Sequence, residues 1–333
     1  MRVKYTTVIA ILWIAIFWLA LVGLDLVLPS RFSNDSTALM SIAETGGAEG
    51  WEESRSYANT ADVFRLVPSG LLTPVLGLIG TLYLAAFMRP LPTVTANLVA
   101  VFLTAPTVAF CLVRLQKESL VAILVVLVLA ALRRIRTPWL AMAAVSLLYG
   151  VYAWFFRAYY VPVALIAVGI YVWSRLPNDF RLLAIFLGGA ALFAAPVSIF
   201  EALIGPRDTV NGLRLLNPDA FMRSAFFNPW PPDGPFHFLG SYVYALGRLN
   251  APILFVRGLP EILLTIYMGV AFWVLWRSYC WPSHSARILA SLFTAHVLFL
   301  AVFEPDLGSY FRHISSVVPY LVFGLMPRRS ITA

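Results

Sequence analysis

Long apolar runs separated by short polar turns make up most of this sequence. Each run approaches the roughly 20 residues that a helix needs to cross the hydrocarbon core of a bilayer. These runs cover about residues 7–28, 68–88, 93–113, 115–132, 138–156, 159–174, 182–203, 259–276, 288–303 and 313–327. The pattern predicts an all-α, polytopic transmembrane helix bundle of about ten crossing helices. We expect residues 1–333 to form a single integral membrane domain.

The composition supports a membrane protein and argues against other classes. Hydrophobic residues make up 60% of the chain and charged residues 12%, with a mean hydropathy of +0.82. The net charge of +8 does not indicate nucleic-acid binding, because the basic residues stand mostly in short turns between apolar runs. Cys111 and Cys280 are far apart and match no metal or redox spacing, so no disulfide is predicted. The first apolar run is too long for a signal-peptide core and indicates a retained helix.

The distribution of charge predicts which side of the bundle faces the cytoplasm. If the N-terminus is cytoplasmic, that face receives twelve basic residues and a single acid, Asp179. The twelve are Arg2, Lys4, Arg89, Arg133, Arg134, Arg136, Arg175, Arg181, Arg277, Arg287, Arg328 and Arg329. Because basic residues in short loops favour the cytoplasmic side, we expect both termini there. An eleventh helix over residues 238–256 would reverse the orientation of every later helix. It would place Arg277, Arg287, Arg328 and Arg329 on the outer side, so we do not include one.

Two long segments remain on the outer side, residues 29–67 and 204–258. The first is rich in acidic residues and too polar to be buried in lipid. The second contains a proline-rich stretch from Asn228 to Pro235, followed by an aromatic run that begins at Phe236. Prolines exclude regular structure, whereas aromatic residues are typical of the membrane interface. We predict an ordered outer loop that ends in an interfacial helix, with a plain connecting loop as the alternative.

One cluster of charge, from Arg114 to Ser119, interrupts the apolar pattern. A span of about 20 residues counted back from Arg133 places Lys117 and Glu118 below the lipid surface. Ionisable groups are costly there and are candidates for function by default. If the segment is helical, Arg114, Lys117 and Glu118 share one face. The alternative is a self-neutralising patch that only anchors the end of a helix.

Two more polar motifs fall on the same predicted side of the membrane. They are Arg157-Ala-Tyr-Tyr160, in a tight turn, and the segment from Phe303 to His313. The three motifs together provide cations at Arg114, Lys117, Arg157 and Arg312, carboxylates at Glu118, Glu304 and Asp306, and an imidazole at His313. Such a set suits an anionic substrate, because arginine binds phosphate oxygens in pairs and can stabilise a departing diphosphate. A carboxylate or histidine can take the proton of an attacking hydroxyl, and no metal or other cofactor is needed.

Each motif also has a plainer explanation. Arg157 with its tyrosines is typical of an interfacial belt with a snorkelling cation. The sequence from Glu304 to Gly308 contains ordinary turn residues. His296 stands in the middle of an apolar run, and we expect it to be a buried, hydrogen-bonded core residue. A single site built from all three motifs is favoured because they fall on the same predicted side of the membrane.

These motifs resemble those of bacterial O-antigen and exopolysaccharide polymerases of the Wzy and EpsG type. The resemblance covers most of the chain and is carried by Asn34-Asp35-Ser36, Ser56-Tyr57, Lys117-Glu118, Arg157, Tyr160, Glu304, Asp306, Gly308, Tyr310 and Arg312. It implies a multi-pass glycosyltransferase of the bacterial inner membrane, acting at the periplasmic face without a metal. Its substrate would be an undecaprenyl-diphosphate-linked oligosaccharide, and its partners membrane lipid and other polysaccharide assembly proteins, without nucleic acid. This chain is shorter than many such polymerases.

The resemblance also implies roles for individual residues. Diphosphate binding would fall to Arg114, Lys117, Arg157, Tyr160 and Arg312, and catalysis to Glu118, Glu304, Asp306 and His313. Which carboxylate acts as the base stays open. Two other functions also stay open: a transporter or flippase for a lipid-linked saccharide, and a non-catalytic partner in a polysaccharide assembly system.

Overall fold

The computed structural model describes residues 4–23, 34–45, 55–216, 224–255 and 258–326, and these ranges are almost entirely helical. Their α-helices, numbered in chain order, are α1 (Tyr5–Gly23), α2 (Asn34–Thr45), α3 (Arg55–Arg65), α4 (Leu72–Met88), α5 (Val94–Thr107), α6 (Lys117–Arg134), α7 (Pro138–Phe155), α8 (Tyr160–Trp173), α9 (Asn178–Ala194), α10 (Val197–Leu216), α11 (Pro235–Asn250), α12 (Leu259–Tyr279), α13 (His284–Phe303) and α14 (Leu307–Ser316). A short π-helical turn, Val108–Leu112, extends α5. Within these ranges the only strand-like pairing is an isolated bridge between Ala225 and Asp306.

Six helical segments in the described ranges are long and apolar enough to cross a membrane. They are α1, α4, α5 with its π-helical turn, α7, α12 and α13, and the bent pair α9 and α10 adds a seventh if it counts as one span. This confirms a helical bundle and indicates a multi-pass membrane protein. Two other predicted crossings do not have the same length and apolar character: α8 has only 14 residues, and α6 carries charges in its first and last turns. About ten crossings therefore stays a prediction.

The predicted run 182–203 is broken rather than continuous. Its two halves, α9 and α10, meet at an angle of 87°. Ala195, just before Pro196, has an extended backbone (φ −68°, ψ 136°) because the proline ring disfavours a helical conformation there. None of the side chains of α9 is buried, and large apolar ones such as Phe186 are exposed. A membrane around the bundle would cover them with lipid.

The predicted run 313–327 is likewise divided. Helix α14 ends at Ser316, and a 3₁₀ segment, Val318–Leu325, follows it. Pro319 accounts for the break, because it has no N–H to donate to the Ser315 carbonyl oxygen four residues earlier and its ring would clash with that group. This terminal 3₁₀ segment is almost completely buried and packs on α12, α13 and α5. Gly324 is needed there, because a Cβ at this position would overlap the Val274 carbonyl oxygen of α12.

Two buried hydroxyl groups satisfy the backbone at this break. The Tyr83 hydroxyl donates to the carbonyl oxygens of Ser315 (3.3 Å) and Ser316 (3.0 Å). The Thr107 hydroxyl donates to the same Ser315 carbonyl at 2.5 Å. Irregular backbone at membrane depth is tolerated only where it is buried in protein or lines a water-filled cavity. Residues from α4 and α5 therefore stabilise the irregular end of α14.

The two long outer segments contain helices. The first, 29–67, includes α2 and α3, which pack on each other, and α3 also packs on α6 and α7. The second, 204–258, holds the end of α10 and α11, which covers the predicted aromatic run. The interfacial position of α11 stays a prediction. Residues 1–3, 24–33, 46–54, 217–223, 256–257 and 327–333 lie outside the described residues, and with them the two termini whose cytoplasmic position was predicted.

Four elements from distant parts of the sequence meet at one end of the bundle. They are the start of α6, the turn between α7 and α8, the end of α13, and α14. Helix α13 lies between α8 and the terminal 3₁₀ segment, while α14 packs on α5, α6 and α13. We call this end, defined by Glu118, Arg157 and Glu304, the Arg157 end. The other end, where α5 and α13 begin and α12 finishes, we call the Arg277 end.

Candidate functional site

A buried ion pair joins α6 to the α7–α8 turn. The Arg157 Nη2 atom donates to the Glu118 Oε1 atom at 2.7 Å, and the side chains are only 5% and 2% exposed. Glu118 lies in the first turn of α6, and Arg157 lies where α7 stops and α8 has not yet begun. A buried charge is costly unless it is paired. Each of these residues therefore depends on the other.

His313 connects this pair to a second carboxylate. Its Nδ1 atom lies 2.5 Å from the Glu304 Oε1 atom, and its Nε2 atom lies 3.5 Å from the Glu118 Oε1 atom. Both ring nitrogens thus face carboxylates, which is the arrangement that an imidazolium with two N–H donors requires. Arg312, the neighbouring residue, is close enough for its charge to act on both carboxylates. The structure therefore brings together Glu118, Arg157, Glu304, Arg312 and His313.

The proton affinities of Glu304 and His313 reflect this pairing. Both residues lie outside the six candidate spans. Burial is the largest single influence and opposes the charged form of each residue, but the neighbouring charges and hydrogen bonds together outweigh it. As a result the pKa of Glu304 is lowered from its ordinary 4.5, with help from Arg312, despite burial that raises it. Burial lowers the pKa of His313 as well, but Glu304 and Glu118 raise it above 6.5 overall, against the opposing charge of Arg157.

These shifts give a pH dependence of stability. The lowered pKa of Glu304 stabilises the fold above about pH 4.5, and that contribution is lost as the pH falls through the folded-state value. The raised pKa of His313 stabilises the fold below about pH 6.5, and that contribution is lost as the pH rises through the folded-state value. We expect the melting-temperature difference between wild type and His313→Gln, measured in detergent, to be largest between those limits. A difference that does not shrink toward alkaline pH would contradict the ion pair.

Aromatic rings line the site. The Tyr159 hydroxyl accepts a hydrogen bond of 3.1 Å from Arg157 Nη1, and its ring packs 5.2 Å from Phe303 and 6.1 Å from the His313 ring. Tyr160, predicted to bind substrate, is 2% exposed and packs against Tyr159 and three further rings, those of Tyr149, Tyr152 and His296. In this structure Tyr160 supports the site from within the core. Tyr159 is the tyrosine nearest the charged groups.

The segment before α6 differs from the sequence expectation. Helix α6 begins at Lys117, after Gln116 in an extended conformation (φ −144°, ψ 162°). The prediction that Arg114, Lys117 and Glu118 share one helix face is therefore wrong, because Arg114 lies in the turn before the helix. Arg114 is buried there. The ammonium group of Lys117 stands 3.5 Å from the ring centroid of Tyr57 on α3.

Asp306 has a local structural contact. It precedes α14 as the N-cap, and its Oδ1 atom accepts a hydrogen bond of 2.9 Å from the Ser309 backbone N–H. Such a cap is typically worth about 1 kcal/mol. Its position fixes the start of the helix that carries Arg312 and His313. Among the predicted acids, Asp306 is thus the one engaged in shaping the site.

Two carboxylate oxygens at the site are buried and make no hydrogen bond to any described residue. They are Oε2 of Glu118 and Oε2 of Glu304. A buried acceptor without a partner costs about 1–3 kcal/mol, more when charged, so a ligand or water that donates to it is favoured. The hydroxyl group of a substrate is one such donor. Both oxygens lie on residues joined through His313.

Sequence reasoning missed a fully buried arginine beside the site. Arg207 on α10 donates from Nε to the Glu304 carbonyl oxygen at 2.9 Å and from Nη2 to the Ala301 carbonyl oxygen. Its Nη1 atom donates to Asn228 Oδ1 at 2.7 Å, and its guanidinium lies 4.6 Å from the Phe226 ring centroid. Arg207 therefore satisfies carbonyl groups at the end of α13 that the helix itself leaves open. It holds the backbone of Glu304 in place.

Asn211, one turn further along α10, continues this contact. Its Nδ2 atom donates to the carbonyl oxygens of Phe226 (2.8 Å) and Pro305 (2.9 Å). Arg207 and Asn211 together bind the segment around residue 226 to the turn after Glu304. The spacing of four residues was a possible signal, but the sequence analysis assigned these positions to a loop.

The predicted structural role of His296 is confirmed. It is buried, and its Nε2 atom lies 3.0 Å from the Tyr149 hydroxyl, which in turn donates to the Tyr320 hydroxyl at 3.0 Å. Cys111 and Cys280 are free thiols, as expected.

The side chains of Asn34 and Asp35, which carried part of the resemblance, lie outside the described residues. The function has to be argued from the charged groups of the site. Comparison with known proteins finds no matching family model, curated protein or solved structure.

Proposed function

We propose that this protein is a polysaccharide polymerase, a metal-independent membrane glycosyltransferase that joins undecaprenyl-diphosphate-linked repeat units. In this proposal about ten helices cross the bacterial inner membrane, both termini are cytoplasmic, and the Arg157 end faces the periplasm. The basic residues of short turns support that orientation, because Arg175, Arg277 and Arg287 all fall at the Arg277 end.

The observation that carries the proposal is the pair of carboxylate oxygens without hydrogen-bond partners among the described residues, set beside cations at one end of the bundle. Arg312 and Lys117 add positive charge beyond the Glu118–Arg157 pair. An excess of cations suits a diphosphate, and a carboxylate with an open oxygen suits a sugar hydroxyl. Four separate elements build this arrangement.

The proposed reaction uses these groups as follows. The acceptor hydroxyl oxygen forms a bond to the anomeric carbon of the donor sugar, and the bond from that carbon to the phosphate oxygen breaks. The hydroxyl proton passes to Glu118 or Glu304. The lipid diphosphate leaves with the bonding electrons, and Arg312, Lys117 and Arg157 stabilise its growing negative charge.

The test is elongation by purified protein. In detergent, with lipid-linked repeat units from the native host as substrate, wild type is expected to give a ladder of polymer, whereas Arg312→Gln leaves single units. Arg181→Gln is the matched control, because Arg181 lies at the Arg277 end and is only half-buried. A full ladder from Arg312→Gln would contradict its assigned role.

One observation favours a second candidate, a flippase for a lipid-linked saccharide. Two predicted spans are broken, at Ala195 and after Ser316, and interrupted helices are common in transporters. Yet the carbonyl groups at the second break are occupied by Tyr83 and Thr107. The flippase would be favoured if wild type moves the labelled substrate between the leaflets of a proteoliposome membrane but does not elongate it in detergent.

A further inference from the structure

A small cavity lies at the Arg277 end, on the opposite side of the bundle from the proposed active site. Its volume is about 180 Å³, well above the roughly 10–15 Å³ that a single water molecule needs on the same measure. The residues lining it come from the start of α5, the end of α12 and the end of the terminal 3₁₀ segment: Thr93, Thr95, Ala96, Val99, Trp273, Arg277 and Leu325.

Among the described residues that line this cavity, Arg277 is the only charged one. Its guanidinium stacks 5.0 Å from the ring centroid of Trp273, one turn earlier on α12. It forms no hydrogen bond or ion pair with any described residue, so its five N–H donors remain available. The planar guanidinium is the side chain best suited to bind phosphate oxygens in pairs.

The rest of the lining is divided by polarity. Thr93 and Thr95 place hydroxyl groups at one edge, and both residues are exposed. The Thr93 oxygen accepts from the Ala96 backbone N–H at 3.2 Å, which leaves its own O–H proton to donate. Val99 and Leu325 provide an apolar wall. The cavity therefore presents donors for an anion next to a surface for a hydrocarbon group.

We propose that this cavity binds the phosphate group of an anionic membrane phospholipid. The position supports a lipid, because α5 and α12 are both candidate spans and the cavity lies where those spans end. Stacking on Trp273 holds the arginine at the level of the headgroups, where tryptophan is itself favoured. The phosphate oxygens accept from Arg277 and the threonine hydroxyls, while the glycerol and upper acyl chain pack against Val99 and Leu325. This site is independent of the proposed glycosyl transfer.

The experiment measures lipid binding to the full-length protein in a neutral detergent by native mass spectrometry. The probes are dioctanoyl phosphatidylglycerol and, for comparison, dioctanoyl phosphatidylcholine. We expect wild type to prefer the anionic lipid and Arg277→Gln to bind it about tenfold more weakly, the effect of losing one charge-assisted contact. Val99→Phe, which fills the cavity and leaves the cation in place, is expected to weaken binding similarly.

The matched control is Arg287→Gln. Arg287 lies in the first turn of α13 at the same end but does not line the cavity. Its loss removes the same charge and is expected to change the affinity by less than about twofold, since surface charges contribute little individually. Equal effects of Arg277→Gln and Arg287→Gln, or none from either, would overturn the proposal in favour of a simple interfacial anchor.

Added inorganic phosphate identifies the source of the ligand. If millimolar phosphate leaves phosphatidylglycerol binding unchanged, the lipid is the occupant, as proposed. If phosphate alone displaces the lipid in wild type, the occupant is the free anion, and the lipid assignment is wrong. Melting temperatures of the three variants verify that each one is folded.

Discussion

Arg157→Ala is expected to lower the free energy of unfolding by about 3–5 kcal/mol, the usual loss when one partner of a buried ion pair is removed. The substitution leaves the Glu118 carboxylate buried, with His313 at 3.5 Å and the charge of Arg312 to replace the lost partner only in part. It also removes the hydrogen bond to Tyr159. The measurement is unfolding by denaturant in mild detergent, followed by helical signal. If the proposed function holds, polymer synthesis is lost as well.

A double variant separates charge from packing. In Glu118→Gln with Arg157→Met, no charge is left without its partner, so we expect part of the lost stability to return while elongation stays absent. Arg157→Lys keeps the charge but loses the fixed geometry of the guanidinium, and we expect intermediate stability. If Arg157→Ala is as stable as wild type, and the double variant is no more stable than Arg157→Ala, the ion pair does not stabilise the fold.

Arg207→Met is expected to destabilise the protein by about 3 kcal/mol, because the guanidinium leaves several buried acceptors without donors at once. Those acceptors are the carbonyl oxygens of Ala301 and Glu304 and the side chain of Asn228. Methionine retains much of the volume, so the loss reports hydrogen bonds and charge more than a cavity. The same denaturant unfolding measures it.

Arg181→Met provides a matched control for Arg207. Arg181 also donates to helix-end carbonyl oxygens, those of Trp173 at 3.1 Å and Ser174 at 3.3 Å, but the first contact is exposed and the second only partly buried. Surface substitutions of this kind usually change stability by less than about 0.5 kcal/mol. If both variants lose the same stability, the burial of Arg207 is not the reason for its effect.

Hydropathy was sufficient to predict the class of this fold. The helical runs around α1, α4, α7, α12 and α13 follow from their length and apolar composition. The breaks do not follow from composition, because a hydropathy window averages over Pro196 and Pro319. Proline chemistry accounts for both breaks, through the residue before Pro196 and through the hydrogen bond that Pro319 cannot donate, but it does not single them out, because Pro106 and Pro206 stay inside helices.

The site was only partly accessible to sequence reasoning. Shared sidedness correctly suggested that the motifs at Glu118, Arg157 and His313 belong to the same end of the bundle. The choice of partners depends on distances between helices, which one chain does not contain. The alternative of a self-neutralising patch paired Glu118 with Arg114 and Lys117 on spacing alone, whereas the structure pairs it with Arg157 from another turn. Arg207 was missed because the apolar run was taken to end at residue 203, which left it in the outer segment 204–258.

The bare surface of α9 has an evolutionary consequence. Since none of its side chains is fully buried, most apolar residues satisfy its exposed positions equally well, apart from contact positions such as Leu192 and Phe193. Among natural variants of this chain, the stretch from Asn178 to Ala194 should drift fastest in identity while keeping its hydrophobicity. That makes it a suitable place for a spectroscopic label or an affinity handle.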